Sequence, residues 1–459
     1  MLLLMGLIIF ANYYLYDCFS TLKWTLQTEL DISSARYGTI RSFYNVPNTF
    51  LLMALIGGIL LDRFGIRRIG FLFTLLCALG GLVQAYGVSP TFREGGPGHA
   101  LMASFLADIS PEVKMMCLGR LLFGLGAETQ IVMLNKVLAK WFKGKELALA
   151  FGLNLGVARI GSALAMQFSP RIAASASGLS AALWLGAVIM VSGLGLFLVY
   201  MLVDRRDERR AGRAGESTDA LAPEEPFRLA DVLALLANRS FLFIALLCAT
   251  FYSAVFPFLD YAADLLTHKY GFDAATAGGF TSLVPYGAAV FTVVFGAFVD
   301  FKGKRASLMI GGAVLLTACH LAFALTRVTP WVIIPLFGIA FSLVPAAMWP
   351  AVPLIVEERR LGTAFGLMTW VQNLFWWATP ILVGTVLDAT NPGITPEVLK
   401  SGTGRYDYTV AMLVFVAIGV VAVVLAFWLR AADRRPDGHG LELPSKQAAE
   451  WNAARAEQS

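Results

Sequence analysis

Long apolar runs separated by short polar stretches follow one another along the chain. Each run has about 20 residues, the length that a helix needs to cross the hydrocarbon core of a bilayer. The runs lack the short alternating pattern of membrane-barrel strands. Twelve runs are therefore predicted to be transmembrane helices: Leu3–Thr21, Tyr37–Leu61, Ile69–Tyr86, Met115–Leu138, Leu147–Phe168, Ala181–Val203, Phe241–Leu266, Ala277–Val299, Ser307–Leu325, Trp331–Val356, Leu361–Leu387 and Val410–Leu429.

The composition agrees with a chain that lives in a lipid bilayer. Of 459 residues, 57% are hydrophobic and 15% are charged, whereas a soluble domain carries about 25% charged residues. A water-soluble enzyme, a fibre and a disordered chain are excluded as descriptions of the whole protein. The net charge of +5 is mild and does not indicate a nucleic-acid partner.

The longest polar segment lies between the sixth and seventh runs. It is rich in Arg, Asp, Glu, Gly and Pro, and such a segment cannot bury a core, so we expect it to be flexible. The predicted organisation is a six-helix bundle over residues 1–203, a cytoplasmic linker over 204–238, a second six-helix bundle over 239–430 and a polar cytoplasmic tail over 431–459.

Basic residues fix the predicted orientation. One set of loops holds twice as many Lys and Arg residues as the opposite set, and the side richer in basic residues is normally cytoplasmic. Both termini and the linker are then cytoplasmic. The first run lacks a basic start and a small-residue cleavage site, so it is not predicted to be a cleaved signal peptide.

The two halves repeat each other. The loop after the second run, residues 57–68, and the loop after the eighth, residues 296–305, both contain Gly, then Asp, then a basic cluster. Ala-Phe-Gly-Leu occurs at 150–153 and again at 364–367. Repeated six-helix halves are typical of secondary transporters, whose binding site lies between the halves near the bilayer midplane.

The loop at 57–68 resembles the signature of the major facilitator superfamily, and Gly119-Arg120 resembles its second motif. The resemblance implies an all-α polytopic fold of twelve helices in two halves, moving by alternating access. It also implies that charges near the loops bias one conformation over another; the alternative is that they only fix topology. The predicted gating residues are Asp62, Arg63, Arg67, Arg68, Arg120, Asp300 and, as described below, Asp17 and Arg41.

A narrower resemblance covers the first five runs. Residues 124–163, with Tyr44-Asn-Val-Pro-Asn48 and Tyr16-Asp17, are similar to the lysosomal dipeptide transporter branch and its prokaryotic relatives. The branch implies facilitated diffusion of dipeptides, with Glu128 and Arg159 lining the cavity. Animal members carry an N-terminal sorting extension, whereas this chain begins inside its first run, so sorting to a lysosome by that signal is not expected. The composition rich in Ala, Gly and Leu favours a bacterial inner membrane, and the lysosomal membrane is the alternative for a eukaryotic chain.

Glu128 and Arg159 are the two charges predicted deepest in the membrane. Glu128 lies eleven residues before Ala139, which follows the end of its run, and Arg159 lies twelve residues after Leu147, the first residue of its run. At 1.5 Å per residue both are about 17 Å deep. A charge in this position is costly and usually functional. Arg159 can bind a carboxylate with two parallel hydrogen bonds, and Glu128 can receive an ammonium group. The alternative is a buried structural ion pair that needs no substrate.

Other polar and aromatic residues are expected at similar depth. Asn373 is the repeat partner of Arg159, so the charge is not duplicated in the second half. An asymmetric pocket suits a small polar ligand, although for each aromatic residue taken alone packing is the favoured interpretation. The further predicted substrate-binding residues are Asn135, Tyr252, Tyr286, Trp349, Trp370 and Asn373.

Three acidic residues are predicted near the outer ends of the helices. Asp17 lies beside a cluster of Tyr residues, and Arg41 is its expected ion partner, in an outer gate, a proton site or a structural pair. Asp260 and Asp264 are expected to be solvated. His320 is expected to be a core histidine.

The sequence contains no phosphate-binding loop, no zinc-protease motif and no nucleophile elbow, and its five cysteines have no metal-ligand spacing. We therefore expect no cofactor, no metal and no enzymatic activity. The leading interpretation is a dipeptide carrier. The alternatives are a proton-coupled carrier of another organic solute and a non-transporting nutrient receptor, and an accessory subunit is left open.

Overall fold

The computed structural model describes residues 1–142, 147–175, 178–210, 229–436 and 438–456, and within these ranges the chain is helical and contains no strand. Its helices are α1 (Leu2–Asp17), α2 (Lys23–Leu30), α3 (Ser34–Ser42), α4 (Val46–Phe50), α5 (Met53–Phe64), α6 (Ile66–Gly87), α7 (Pro90–Arg93), α8 (His99–Ala103), α9 (Pro111–Phe142), α10 (Leu147–Ala173), α11 (Gly178–Arg210), α12 (Leu229–Ala237), α13 (Arg239–Tyr270), α14 (Ala274–Lys302), α15 (Arg305–Leu325), α16 (Pro330–Met348), α17 (Val352–Ile355), α18 (Leu361–Thr390), α19 (Pro396–Lys400), α20 (Thr409–Asp433) and α21 (Ser445–Ala456).

Nine of the predicted runs appear, within the described residues, as helical stretches long and apolar enough to cross a membrane. They are α6, α9, α10, α11, α13, α14, α15, α16 with the turns that follow it, and α20. The first run is the shorter helix α1, of 16 residues, and the eleventh is the 30-residue α18. The twelve apolar runs are thus all helical, and the all-α prediction is confirmed.

The second run was predicted as one helix over Tyr37–Leu61, and this is wrong, because the chain bends twice there. Pro47 lies in the first turn of α4, where its missing N–H costs no helical hydrogen bond. Leu52, between α4 and α5, has a left-handed backbone with φ of 52°. A left-handed non-glycine residue ends the helical hydrogen-bond ladder, so the run consists of α3, α4 and α5.

The linker prediction also needs a correction. Helix α11 continues to Arg210, and α12 occupies Leu229–Ala237, so the described ends of the segment are helical. Asp204 is buried, and its carboxylate accepts from Lys140 Nζ at 2.9 Å and lies 3.5 Å from Arg67 Nη1. The remainder of the linker, residues 211–228, lies outside the described residues.

The helices form two compact units. Unit 1 contains Met1–Pro223, Leu259–Ser282 and Trp377–Asp407, and unit 2 contains Glu224–Phe258, Leu283–Trp376 and Tyr408–Ser459. Helices α13, α14 and α18 each contribute one end to unit 1 and the other end to unit 2. The two six-helix bundles expected over residues 1–203 and 239–430 stay a prediction.

Glycines allow the closest helix contacts in unit 1. Helix α6 packs along α9, and a Cβ atom on Gly80 would lie 2.4 Å from the backbone nitrogen of Phe123. A Cβ atom on Gly119 would lie 2.5 Å from the backbone nitrogen of Gln84. Small residues at such crossings let two helix backbones approach, which drives packing where the hydrophobic effect is weak.

We predict that Gly80→Ala lowers the melting temperature of the purified protein. The added methyl group has no room against α9, and overpacking of this kind costs about 1–3 kcal/mol. Gly152→Ala in α10 is the matched control, since a Cβ atom there meets nothing within 4 Å and alanine is the better helix former. Equal melting temperatures for the two variants would contradict the close-packing argument.

Candidate functional site

Glu128 and Arg159 lie in one region of unit 1, around the ring of Tyr13. The Tyr44 hydroxyl donates to Glu128 Oε1 at 3.1 Å. The guanidinium carbon of Arg159 lies over the Tyr13 ring, 5.6 Å from its centroid. Helix α1, which carries Tyr13, packs against both α9, which carries Glu128, and α10, which carries Arg159. Two opposite charges therefore share a neighbourhood built from α1, α9 and α10.

The face of α10 that carries Arg159 has open space beside it. Cβ atoms built on Gly152 and Gly156 meet nothing within 4 Å. Gly124 on α9 differs, because a Cβ atom there would lie 2.0 Å from the Tyr44 carbonyl oxygen. Asn135, a predicted substrate-binding residue on α9, is exposed. Gly152 and Gly156 thus leave space beside α10, whereas Gly124 permits close packing against Tyr44.

A buried amide network lies next to this region and was missed by the sequence analysis. Asn12 Nδ2 donates to Gln130 Oε1 at 2.6 Å, and Gln130 Nε2 donates to Thr74 Oγ1 at 3.1 Å. The bonds join α1, α9 and α6. Gln130 follows Glu128 by two residues, so a polar residue inside an apolar run was the available signal.

Arg120 is fully buried among aromatic rings. Its guanidinium carbon lies between 5.1 and 5.9 Å from the ring centroids of Tyr16, Phe19, Tyr44 and Phe123. Its Nη1 donates to the Tyr16 carbonyl oxygen at 3.4 Å. Cation–π contacts of this kind are strongest where water is absent. Its predicted gating role stays a prediction.

Arg41 forms its ion pair with Asp260 and not with Asp17, which corrects the expected pair. Both side chains are almost fully buried, so the expectation that Asp260 is solvated is wrong. Arg41 Nη1 also donates to the Tyr16 carbonyl oxygen at 2.9 Å. Asp17 is buried as well, and the Ser20 hydroxyl lies 3.2 Å from its Oδ1 and 2.9 Å from Asp260 Oδ1.

A second buried ion pair lies one helical turn further along α13. Lys23 Nζ is 2.7 Å from Asp264 Oδ2, and His268 Nε2 is 3.4 Å from Asp264 Oδ1. Lys23 also lies over the Tyr406 ring, 4.6 Å from its centroid. Asp264 is 3% exposed, so it too was wrongly expected to be solvated. Lys23, the first residue of α2, is the partner of Asp264, and the sequence pattern did not reveal this pairing.

Two predicted residues of the second half, Tyr252 and Trp349, belong to an aromatic group in unit 2. Trp349 Nε1 donates to the Tyr252 hydroxyl at 2.9 Å. Phe256, which the sequence analysis did not single out, stacks on Tyr252 at 5.6 Å and on Trp376 at 4.4 Å. The predicted residues Tyr286 and Trp370 are half-buried in the same unit.

Two further second-half predictions have definite surroundings. Asn373 is buried, and its Nδ2 donates to the Thr369 carbonyl oxygen one turn earlier at 2.9 Å. His320 lies in the core of unit 2, stacked on the ring of Phe415 at 5.3 Å. The core position of His320 agrees with the sequence analysis.

The predicted gating residues near the cytoplasmic loops have varied surroundings. Arg67 pairs with Asp204, as described above, whereas Arg63 and Arg68 are exposed. The side chain of Asp62 lies outside the described residues. Asp300 Oδ1 accepts from the Ser445 hydroxyl at 2.8 Å. The repeated motif thus has different partners in the two halves: Asp204 contacts Arg67 in the first, and Ser445 contacts Asp300 in the second.

Across the described ranges, no group of three or more His, Cys, Asp or Glu residues could hold a metal ion. The five cysteines are all buried and unpaired with one another. Glu128 and Arg159 give the site one acidic and one basic group, which can bind groups of opposite charge.

Comparison with known proteins places this geometry in context. A family model described as Major Facilitator Superfamily matches residues 2–380 and 261–458. The chain is 29% identical over 466 residues to the lysosomal dipeptide transporter MFSD1 of Bos taurus, covering 99% of this chain and 90% of that protein. It is 20% identical to the hexuronate transporter of Bacillus subtilis, covering 91% of this chain and 92% of that protein.

Solved structures share the fold. The inward-open xylose transporter XylE from E. coli matches with a TM-score of 0.67 and 14% identity, covering 97% of this chain and 98% of that one. A bacterial homologue of the human lysosomal transporter Spinster matches with a TM-score of 0.65 and 15% identity, covering 94% and 96%. At this identity the likeness concerns the fold alone.

We predict that Asp260→Asn lowers the melting temperature sharply, because removing one partner of a buried pair costs about 3–5 kcal/mol. The double variant Arg41→Met with Asp260→Leu should recover much of the loss, since it removes both charges. Glu94→Gln at an exposed position is the control. Melting in detergent measures all three, and a double variant less stable than Asp260→Asn would contradict the pairing.

Proposed function

The chain belongs to the Major Facilitator Superfamily and is a membrane transporter, and we propose that it carries dipeptides or similar small zwitterions by facilitated diffusion. The observation that carries this proposal is the pair Glu128 and Arg159 around Tyr13, with one acidic and one basic group in the membrane-spanning part of unit 1. A zwitterionic peptide presents the complementary charges. The dipeptide transporters named among the relatives support the substrate class.

Arg159 is the proposed partner of the substrate carboxylate. Its planar guanidinium can form two parallel hydrogen bonds to a carboxylate, and a lysine could not reproduce this geometry. The Tyr13 ring under the guanidinium restricts its orientation. The open space along Gly152 and Gly156 gives a ligand room on the same helix face.

Glu128 is the proposed partner of the substrate ammonium group. The Tyr44 hydroxyl already donates to one carboxylate oxygen, at 3.1 Å, and a carboxylate offers about four lone-pair sites. A second donor can therefore bind without displacing Tyr44. The roles predicted for Asn135, Tyr252, Tyr286, Trp349, Trp370 and Asn373 stay proposals of the same kind.

Alternating access is the proposed mechanism, with the charged residues of the cytoplasmic loops biasing the two states. The Arg67–Asp204 contact is an example of a bond that one state can make and another can break. We place the protein in the inner membrane of a bacterial cell, or in the lysosomal membrane of a eukaryote, with both termini cytoplasmic, on the basis of the basic-residue asymmetry.

We predict that Arg159→Ala weakens dipeptide binding by roughly ten- to a hundred-fold, because a hydrogen bond to a charged group contributes about 1.5–3 kcal/mol. A C-terminally amidated dipeptide should bind the unaltered protein poorly and lose little more in Arg159→Ala. Arg159→Lys should restore binding only in part. Calorimetry with both ligands measures the coupling.

We predict the reciprocal pattern for the other terminus. Glu128→Gln should weaken binding of a free dipeptide but have little further effect on an N-acetylated one, whose ammonium group is gone. Losses that simply add, with no coupling between variant and ligand, would overturn the proposed roles and favour a structural ion pair. Melting temperatures of both variants separate that outcome from general destabilisation.

Uptake into liposomes distinguishes the remaining alternatives. A receptor binds the peptide without flux. A facilitated carrier equilibrates the peptide without a pH gradient, whereas a proton-coupled carrier accumulates it when a gradient is imposed. Accumulation driven by the gradient would replace facilitated diffusion by symport while leaving the recognition residues as proposed.

A further inference from the structure

The tail beyond α20 is docked, although the sequence predicted only a polar segment without a role. Helix α20 ends at Asp433, and the chain returns to the loop between α14 and α15. We call residues 438–448 the docked segment and this loop, residues 300–307, its receptor loop. Both belong to unit 2. Leu441 and Ala448 of the docked segment are fully buried.

Backbone bonds join the two segments. The Lys304 N–H donates to the Glu442 carbonyl oxygen at 3.1 Å, and the Arg305 N–H donates to the Leu441 carbonyl oxygen at 3.0 Å. These N–H groups lie at the start of α15, where the helix itself provides no acceptor. The docked segment therefore satisfies backbone donors that would otherwise need water.

Glu442 caps α15 from outside the helix. Its Oε1 accepts from the Ser307 N–H and its Oε2 accepts from the Ser307 hydroxyl, both at 2.8 Å. The residue that precedes α15, Lys304, makes no side-chain cap. A carboxylate at a helix N-terminus is favoured by the exposed N–H groups and by the helix dipole. The tail thus supplies the cap that the local sequence lacks.

Arg305 is held by the same segment. Its Nη1 donates to the Leu443 carbonyl oxygen at 2.8 Å, and its Nη2 donates to the Ser445 hydroxyl at 2.6 Å. The Ser445 hydroxyl in turn donates to Asp300 at 2.8 Å. Arg305 is 2% exposed, so the docked segment covers an arginine of the repeated motif.

Gly303 is fitted to the tail backbone. Its φ is +68°, and a Cβ atom built on it would lie 2.3 Å from the carbonyl carbon and oxygen of Leu443. A side chain at this position would therefore displace the docked segment. The receptor loop therefore has room for the backbone of the docked segment only because residue 303 is a glycine. This steric fit is independent of the charges on Glu442 and Arg305.

An arginine of the repeated motif has a different partner in each half of the chain. In the first half, Asp204 near the end of α11 contacts Arg67 of the repeated motif directly. In the second half, Asp433 at the end of α20 accepts instead from the N–H groups of His439 and Leu441. The docked segment then contacts Arg305. In the first half an ion pair joins the end of α11 to the motif. In the second half the docked segment makes this connection, because it contacts both Asp433 and Arg305.

We propose that the receptor loop, together with the start of α15, is a peptide-binding surface whose ligand is the acidic segment Leu441-Glu442-Leu443-Pro444-Ser445 of the same chain. Glu442 provides the charge that the helix N-terminus requires, and Gly303 provides the room for the backbone. The tail contacts the end of α14, the start of α15 and the end of α20, and it therefore stabilises this end of unit 2. This surface is separate from the residues proposed for dipeptide binding, and its test does not involve a transported substrate.

Hydrogen exchange of the full-length protein tests the proposal. In Glu442→Gln, the amides of Lys304, Arg305 and Leu441 should exchange about ten- to a hundred-fold faster, because docking loses a charge-assisted hydrogen bond. Glu450→Gln, at an exposed position of α21, is the matched control and should exchange like the unaltered protein. Unchanged protection in Glu442→Gln would overturn the proposed cap.

A second pair of variants tests the receptor loop without altering the tail. Gly303→Ala and Gly402→Ala replace glycines with nearly the same φ, +68° and +69°, but only Gly303 has the tail against it. In Gly303→Ala the amides of the docked segment should exchange faster with solvent, and in Gly402→Ala their exchange rates should stay unchanged. Equal protection in the two variants would overturn the role of Gly303.

A cut made after folding tests binding directly. A protease recognition sequence is inserted directly after Pro436, and the intact folded protein is then cleaved. The tail fragment should remain bound through gel filtration, and the same fragment with Glu442→Gln should elute separately. A fragment of unaltered sequence that elutes free would overturn the peptide-binding surface.

Discussion

Charges buried among the helices of unit 1 must find partners inside the protein, and most of the polar structure follows from this constraint. A charged group in hydrocarbon cannot be hydrated, so it is neutralised, paired or held against aromatic rings. Arg41 pairs with Asp260, Lys23 pairs with Asp264, and Arg120 lies among four rings. The two aspartates come from α13, so the ion pairs hold the end of that helix in unit 1.

The same constraint separates structural charges from those proposed to bind substrate. Arg41 and Asp260 are buried and bonded to each other, which leaves little capacity for a ligand. Glu128 and Arg159 are half-buried, and open space lies along the α10 face. A transporter needs both kinds of charge, because recognition requires groups that can exchange partners, whereas stability requires groups that do not.

The repeated halves show how a duplicated motif can be completed by different parts of a chain. Arg67 of the first loop contacts Asp204 of α11, whereas Arg305 of the second loop contacts the docked segment. A helix start without its own cap accepts any suitably placed carboxylate. Glu442 fills that position from 135 residues further along the chain.

The sequence by itself determined the helical architecture and the family, and it predicted the two charges at Glu128 and Arg159 inside apolar helices. These rest on local quantities: the length of an apolar run, a short motif, and the depth of a residue within its run. Only the tertiary structure decided that Arg41 pairs with Asp260, that Asp264 is buried against Lys23, that the second run breaks at Leu52, and that the tail docks on the start of α15. Ion partners and caps are chosen by which segments meet in space, and the separation of 219 residues between Arg41 and Asp260 leaves no periodicity by which one sequence could reveal that meeting.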